Sequence, residues 1–305
     1  VKDIYLQVIF SVAFGYTLAG ILVETKVVNW IGSKTIKLPF FKVSEFFSTF
    51  LALYLISPRA SHITASTLLK EGKITKKELF VAVLASNLPM RLMFFYRYYF
   101  PVLLPLIGFV AVYYALFRLF FDIVLFLMAV LVGKFQNEKS KVFSNLNPVL
   151  DFSFSAIKQG VLKGLYEFIK FALKFTPAFF FVVFLVNEGV MEVVGEKFSG
   201  FFQAIGFSPI EITYITSAMI SPPVAYGFLK LLLSQGEPVA KIVGTMAVGN
   251  ALFSLSRSWW MYLLPYYSGL YDKKTLAIIL LIQAYLPAFY NLAGGILLVK
   301  LSSIL

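Results

Sequence analysis

The sequence predicts an all-α polytopic membrane protein built of two tandem homologous halves. Three observations carry this: an apolar composition, several stretches long enough to cross a bilayer, and a set of short blocks that recur at nearly constant spacing. Of 305 residues, 59% are hydrophobic and only 14% charged, and the mean hydropathy is +0.83. A soluble domain of this size could not bury that much apolar surface. Residues 4–23, 100–133 and 168–186 each approach or exceed the roughly 20 apolar residues that span a hydrocarbon core of about 30 Å. These runs are apolar on every side, which excludes the alternating pattern of an outer-membrane barrel. The opening VKDIY lacks the layout of a cleaved signal, so the first run reads as a retained helix.

The repeats come in one order. LVETKVVNWIG at 22–32 matches LVNEGVMEVVG at 185–195, ISPRA at 56–60 matches ISPPV at 220–224, and SNLPM at 86–90 matches GNALF at 249–253. RYYFPVLLP at 97–105 then matches RSWWMYLLP at 257–265. From the start positions, the first three blocks are 163, 164 and 163 residues apart and the last is 160. The resulting organisation is a first membrane repeat (1–133), a linker with an interfacial amphipathic helix (134–166), and a second membrane repeat (167–305). With an odd number of crossings per half, the two copies would lie upside down relative to each other.

Within each half a helix-breaking motif sits inside an apolar run: ISPRASH at 56–62 and ISPPVAY at 220–226. Proline has no amide hydrogen and its ring crowds the carbonyl four residues back, so Pro58, Pro222 and Pro223 are expected to free carbonyls. Unpaired carbonyls at membrane depth are tolerated where they face protein, water or a ligand. Matching interruptions in two halves therefore point to a solute site near the bilayer middle. Lysines lie on both sides of the first break, at 26–42 and at 70–77, which fits a re-entrant segment better than a simple crossing.

The candidate substrate-binding residues are Ser57, Pro58, Arg59 and His62 at the first break, and Ser221, Pro222 and Pro223 at the second. Asn87 and Asn250 occupy equivalent places in the segments that follow. Asparagines there serve either as interhelical glue worth roughly 1 kcal/mol or as groups facing a solute. Arg91 shares a helical face with Asn87, and Arg257 follows Asn250, so positive potential could line the route. Arg257 and its equivalent Arg97 could also snorkel to the interface among aromatics. Arg118 and Asp122, four residues apart, are expected to form an ion pair with each other. His62 reads equally as a packing residue, and the difference between the two breaks, in Arg59 and His62, is where specificity is expected.

Much chemistry is excluded. There is no P-loop, no HExxH, no cysteine and a single histidine. No catalytic residue, metal site or cofactor is expected, and the chain does not read as an enzyme. The net charge of +12 is carried mainly by lysines between the apolar runs, which suits anionic headgroups rather than nucleic acid. The expected partners are the lipid bilayer and a small-molecule solute, and a homo-oligomer is compatible with the composition.

The block GYTLAGILVETKVVNWIG, the stretch ISPRASHITASTLLKEGKITKKELFVAVLASNLP and its echo ISPPVAYGFLKLLLSQG resemble the nucleoside-recognition, or Gate, domain membrane proteins. That family is similar in outline to the concentrative nucleoside transporters, the membrane domain of the ferrous-iron transporter and the spore maturation membrane proteins. The resemblance implies inverted repeats whose broken helices meet near the middle of the membrane, and its name implies nucleosides. The chain carries neither a GTPase domain nor a cysteine pair, and it lacks the carboxylates expected around a ribose and base. No binding residue is carried over from the family.

The function expected from these readings is a secondary carrier or facilitator for a small polar solute, nucleoside-like or anionic, in the plasma membrane of a prokaryote. The alternatives are a non-transporting membrane partner or lipid-handling protein, and a channel or metal-ion permease.

Overall fold

Serine and proline set the first element. In the computed structural model, which describes residues 44–134, 150–188, 200–302 and parts of 5–27, helix α1 (Glu45–Ile56) is capped by Ser44, whose Oγ accepts from the Phe47 amide at 3.1 Å. It ends at Ser57, which is extended at φ −153° and ψ 108°. Helix α2 (Pro58–Lys70) starts at once. Pro58 thus occupies the first position of a new helix, where a missing N–H costs nothing. The helix-breaking motif makes a complete stop and restart rather than a kink in one helix.

The restart reverses the chain. Ser61 Oγ donates to the Phe50 carbonyl at 3.2 Å, and the His62 and Phe50 rings lie 5.3 Å apart. A continuous helix would separate residues 50 and 62 by about 18 Å. α1 and α2 therefore form a hairpin. A glycine closes it: Gly72 has φ 67°, its amide bonds the Leu69 carbonyl, and the Lys73 amide bonds that of Leu68. That double closure is a Schellman cap, and the left-handed φ it needs favours glycine.

Helices α3 (Lys76–Ala85) and α4 (Asn87–Phe94) follow, then a π-helical stretch π1 (Phe95–Leu103), the short α5 (Leu104–Ile107) and the long α6 (Val110–Lys134). Helix α7 (Phe154–Asn187) is continuous through residues 166 and 167, so the linker boundary expected there falls inside a helix. Its amphipathic and apolar portions merge because nothing between them breaks helical geometry.

A similar order of elements then occurs again. Helix α8 (Pro209–Ile220) has 12 residues, as α1 does, and stops at Ser221 with φ −157° and ψ 103°. Helix α9 (Pro222–Ser234) has 13, as α2 does, and packs back on α8. Gly236, at φ 74°, repeats the Schellman closure with its own amide on Leu233 and that of Glu237 on Leu232. Then come α10 (Val239–Phe253), π2 (Ser254–Leu263), α11 (Leu264–Ser268), α12 (Lys273–Leu280), π3 (Leu281–Tyr285) and α13 (Leu286–Ser302).

Each π stretch ends two residues before a proline: Leu103 before Pro105, Leu263 before Pro265, Tyr285 before Pro287. A proline ring collides with the carbonyl four residues back, and shifting to i→i+5 pairing upstream relieves the collision without ending the helix.

Among the described residues the chain is helical, with no strand. Four helices are long and apolar enough to cross a membrane: Lys76–Phe100, Val110–Lys134, Val239–Ser268 and Lys273–Ser302. α10 and α13 meet through glycines. A Cβ on Gly244 would lie 2.6 Å from the Gly295 carbonyl oxygen, and one on Gly295 2.7 Å from that of Gly244. Small residues are what allow helix backbones to approach in lipid.

Packing exchanges parts between the halves. One core cluster holds Phe46, Phe50, Tyr54 and Leu79 together with Tyr267, Tyr271 and Ile279. The other holds Ile212, Ile215, Tyr226 and Leu229 together with Tyr99, Leu103 and Tyr114. Each hairpin is thus covered by aromatics from the other half. Lys76 Nζ, 2.9 Å from Asp272 Oδ2, adds an exposed tie between the first residue of α3 and the N-cap of α12.

Candidate functional site

The carbonyls released at the two breaks find side chains. Ser57 N still bonds Leu53 O at 2.7 Å and Ser221 N bonds Ser217 O at 3.0 Å, but the last carbonyls of α1 and α8 have no helical partner. Tyr96 donates its hydroxyl to Leu55 O, and Arg257 Nη1 donates to Ile220 O, both at 3.3 Å. Tyr96 lies in π1 and Arg257 in π2. Arg257 is therefore a cap on the negative end of α8 rather than a residue reaching for the interface.

Around this second break lies a cavity of about 600 Å³. Its polar lining comes from both halves: Asn87, Arg91, Tyr99, Tyr114 and Arg118 from the first, and Ser221, Asn250, Ser254, Arg257 and Gln283 from the second. Pro222, Pro223, Phe94, Tyr98, Tyr226 and Phe253 give it apolar and aromatic walls. Of the expected site residues, Asn87, Arg91, Ser221, Pro222, Pro223, Asn250 and Arg257 thus share one cavity.

The two asparagines do not act as glue through their amide nitrogens. Asn87 Nδ2 donates to Leu84 O at 3.0 Å and Asn250 Nδ2 to Met246 O at 2.9 Å, each within its own stretch of helix. Both residues line the same cavity, and the Asn250 side chain also bonds that of Tyr226 in α9.

Ser57, Pro58 and His62 are not part of this cavity's lining. Arg59 lies in α2, and its side chain falls outside the described residues. His62 is fully buried in a polar network of its own. Tyr271 donates its hydroxyl to the His62 carbonyl at 3.0 Å, which leaves its oxygen to accept from His62 Nδ1–H, also at 3.0 Å. Tyr267 donates to Gln283 Oε1, and Gln283 Nε2 donates to Tyr54 Oη at 2.8 Å and lies 3.2 Å from His62 Nε2. The consistent assignment is a neutral ring with the proton on Nδ1 and Nε2 accepting from the Gln283 amide. Ser66 adds a 2.7 Å bond to Leu270 O. The first hairpin is thereby locked to the second half, and Gln283 alone among these groups also faces the cavity.

A correction concerns charge. Asp122 does not take Arg118 as its ion-pair partner. It is fully buried, with Oδ2 2.6 Å from Arg91 Nε and Oδ1 accepting from Tyr290 Oη at 2.7 Å. Arg91 also donates through Nη1 to Tyr99 Oη at 2.7 Å. Arg118 instead donates through Nη1 to Tyr114 Oη at 2.9 Å and stands over the rings of Tyr114 and Tyr290. Its Nε is buried with no hydrogen-bond partner.

The residues missed from sequence are Arg118, Gln283 and the tyrosines at 98, 99, 114 and 226. The tyrosine pair 98–99 inside the repeated RYYFPVLLP block was the available signal. Gln283, a lone amide in the apolar run TLAIILLIQAYLP, was another.

No protein-family model matches the chain. It is similar to three proteins of Methanocaldococcus jannaschii. Uncharacterized protein MJ0871 is 24% identical over 258 residues, covering 80% of this chain and 77% of that one. Uncharacterized protein MJ0880 is 24% identical over 257 residues, covering 81% and 82%. Uncharacterized protein MJ1556 is 23% identical over 274 residues, covering 85% and 83%. No solved structure matches.

Proposed function

We propose that this protein is a membrane carrier or facilitator for a small polar solute, nucleoside-like or anionic, held in the cavity beside Ser221. The observation that carries the reading is the cavity itself. It lies where a broken helix exposes its end, it draws polar groups from both halves, and apolar walls surround a few fixed hydrogen-bonding groups. Archaeal relatives similar over most of their length support placing it in the plasma membrane of a prokaryote.

Two inverted copies of one repeat form the scaffold in this reading. The matched hairpins, the two Schellman glycines 164 residues apart (236 − 72), and the exchange of aromatics between halves all support it. Loop charge agrees: the turn after α2 is followed by Lys73, Lys76 and Lys77, whereas the turn after α9 carries Glu237. Because the chain has no cysteine, a single introduced thiol reports alone. In vesicles, Glu71→Cys and Gln235→Cys should react with an impermeant maleimide from opposite sides; reaction from the same side would refute the inversion.

Transport itself is tested by flux into vesicles holding the purified chain, with uridine, adenosine, glutamate and benzoate as probes. Ser221→Trp should fill the cavity and abolish uptake while the protein remains folded. If no probe enters faster with wild-type protein than with Ser221→Trp, the carrier reading fails.

A further inference from the structure

Resting on the carrier reading, the geometry points to a particular substrate class: we infer that the cavity binds a small organic anion of one negative charge, received by Arg118 and the hydroxyls of Tyr99 and Tyr114.

Charge balance leads there first. Three guanidiniums, Arg91, Arg118 and Arg257, line the cavity, and among the described residues the one carboxylate paired with any of them is Asp122, buried behind the wall against Arg91. Both Asp122 oxygens are already engaged, one by Arg91 and one by Tyr290. Arg118 therefore has no carboxylate bonded to it, and a guanidinium inside an apolar protein demands a counter-charge. Arg118 Nε, buried and without a partner, is the donor left over.

The hydroxyls lead to the same place. A phenol has one proton to give, and its oxygen can accept as well. Tyr99 Oη accepts from Arg91 and Tyr114 Oη accepts from Arg118, so neither O–H is consumed by those bonds. Both remain as donors, and both residues line the cavity. Their rings stand edge to face with centroids 6.0 Å apart, which holds the two hydroxyls on one wall. A neutral solute would leave this donor set unmatched, whereas a carboxylate supplies two acceptor oxygens and the missing charge. Phe94, Tyr98, Tyr226 and Phe253 suit an apolar or aromatic body behind it.

The test uses benzoate and benzamide, which share shape and differ in charge. With the purified full chain in micelles, benzoate should bind and raise the unfolding temperature, and benzamide should bind about tenfold or more weakly, the loss expected for a charge-assisted contact. Arg118→Gln should bring benzoate down to the level of benzamide, while Arg118→Lys, which keeps the charge, should stay within about threefold of wild type. The wild-type pair of ligands needs no variant, so a poorly folded Arg118→Gln does not spoil the comparison. Failure of benzoate to bind, equal binding of benzamide, or a benzoate affinity unchanged in Arg118→Gln would each overturn the inference. Benzoate binding without flux in vesicles would overturn the carrier reading and leave the anion site standing; uridine flux with no preference for benzoate would do the reverse.

Discussion

The breaks at Ser57 and Ser221 have almost the same backbone, φ −153° and ψ 108° against φ −157° and ψ 103°, and opposite surroundings. Behind the first, His62, Tyr54, Tyr267, Tyr271 and Gln283 form one buried hydrogen-bonded network. At the second, the residue that aligns with His62 is Tyr226, which is buried against the Tyr98 ring at 6.2 Å, bonds the side chains of Tyr98 and Asn250, and borders the cavity. The lesson is that a serine and a proline suffice to make a stop and a reversal, because the cause is local. What the reversal is used for depends on which side chains the other half brings to it.

The largest effect is expected where charge sits on the open side. Asp122→Ala would leave Arg91 and Arg118 facing each other's charge without a carboxylate, and should cost about 3–5 kcal/mol in thermal unfolding in micelles. Benzoate should recover part of that loss if it reaches the same wall.

Next comes the contrast between the equivalent residues. His62→Ala should cost about 2–4 kcal/mol, since it opens a hole and strands the Gln283 amide and the Tyr271 hydroxyl. Tyr226→Phe should cost about 1 kcal/mol, because it keeps the ring's packing and loses only the hydroxyl's bonds to Tyr98 and Asn250. Equal losses at the two positions would mean that the second break is as tightly sealed as the first.

The smallest effect should be the most symmetric. Gly72→Ala and Gly236→Ala each force a side chain into left-handed backbone with no neighbour in the way, so each should cost about 1–2 kcal/mol, and the two should agree closely. A large difference would show that the two caps are not equivalent.

What could be read from sequence follows this division between local and distant causes. The stops at Ser57 and Ser221 were legible because proline and serine act within one turn. That Asn87 and Arg91 share a face, and that Asn250 and Arg257 lie close along one helix, was legible from helical spacing. The network around His62 was not legible, because its partners Tyr267, Tyr271 and Gln283 stand more than 200 positions away along the chain. Arg118 and Asp122 had the spacing of a pair, yet Asp122 was taken by Arg91 across a helix contact that no local rule contains. The π turns leave no periodic trace in so few residues, although Pro105, Pro265 and Pro287 each mark where one ends.

The contrast between a sealed and an open break is tested most directly by the reactivity of one thiol at each. Ser57→Cys and Ser221→Cys, in a chain otherwise free of cysteine, should differ in rate toward a small water-soluble maleimide by about tenfold or more, with Ser221→Cys the faster because the cavity admits water to it. Adding benzoate should slow Ser221→Cys and leave Ser57→Cys unchanged. Equal rates at the two positions, or faster reaction at Ser57→Cys, would contradict the account.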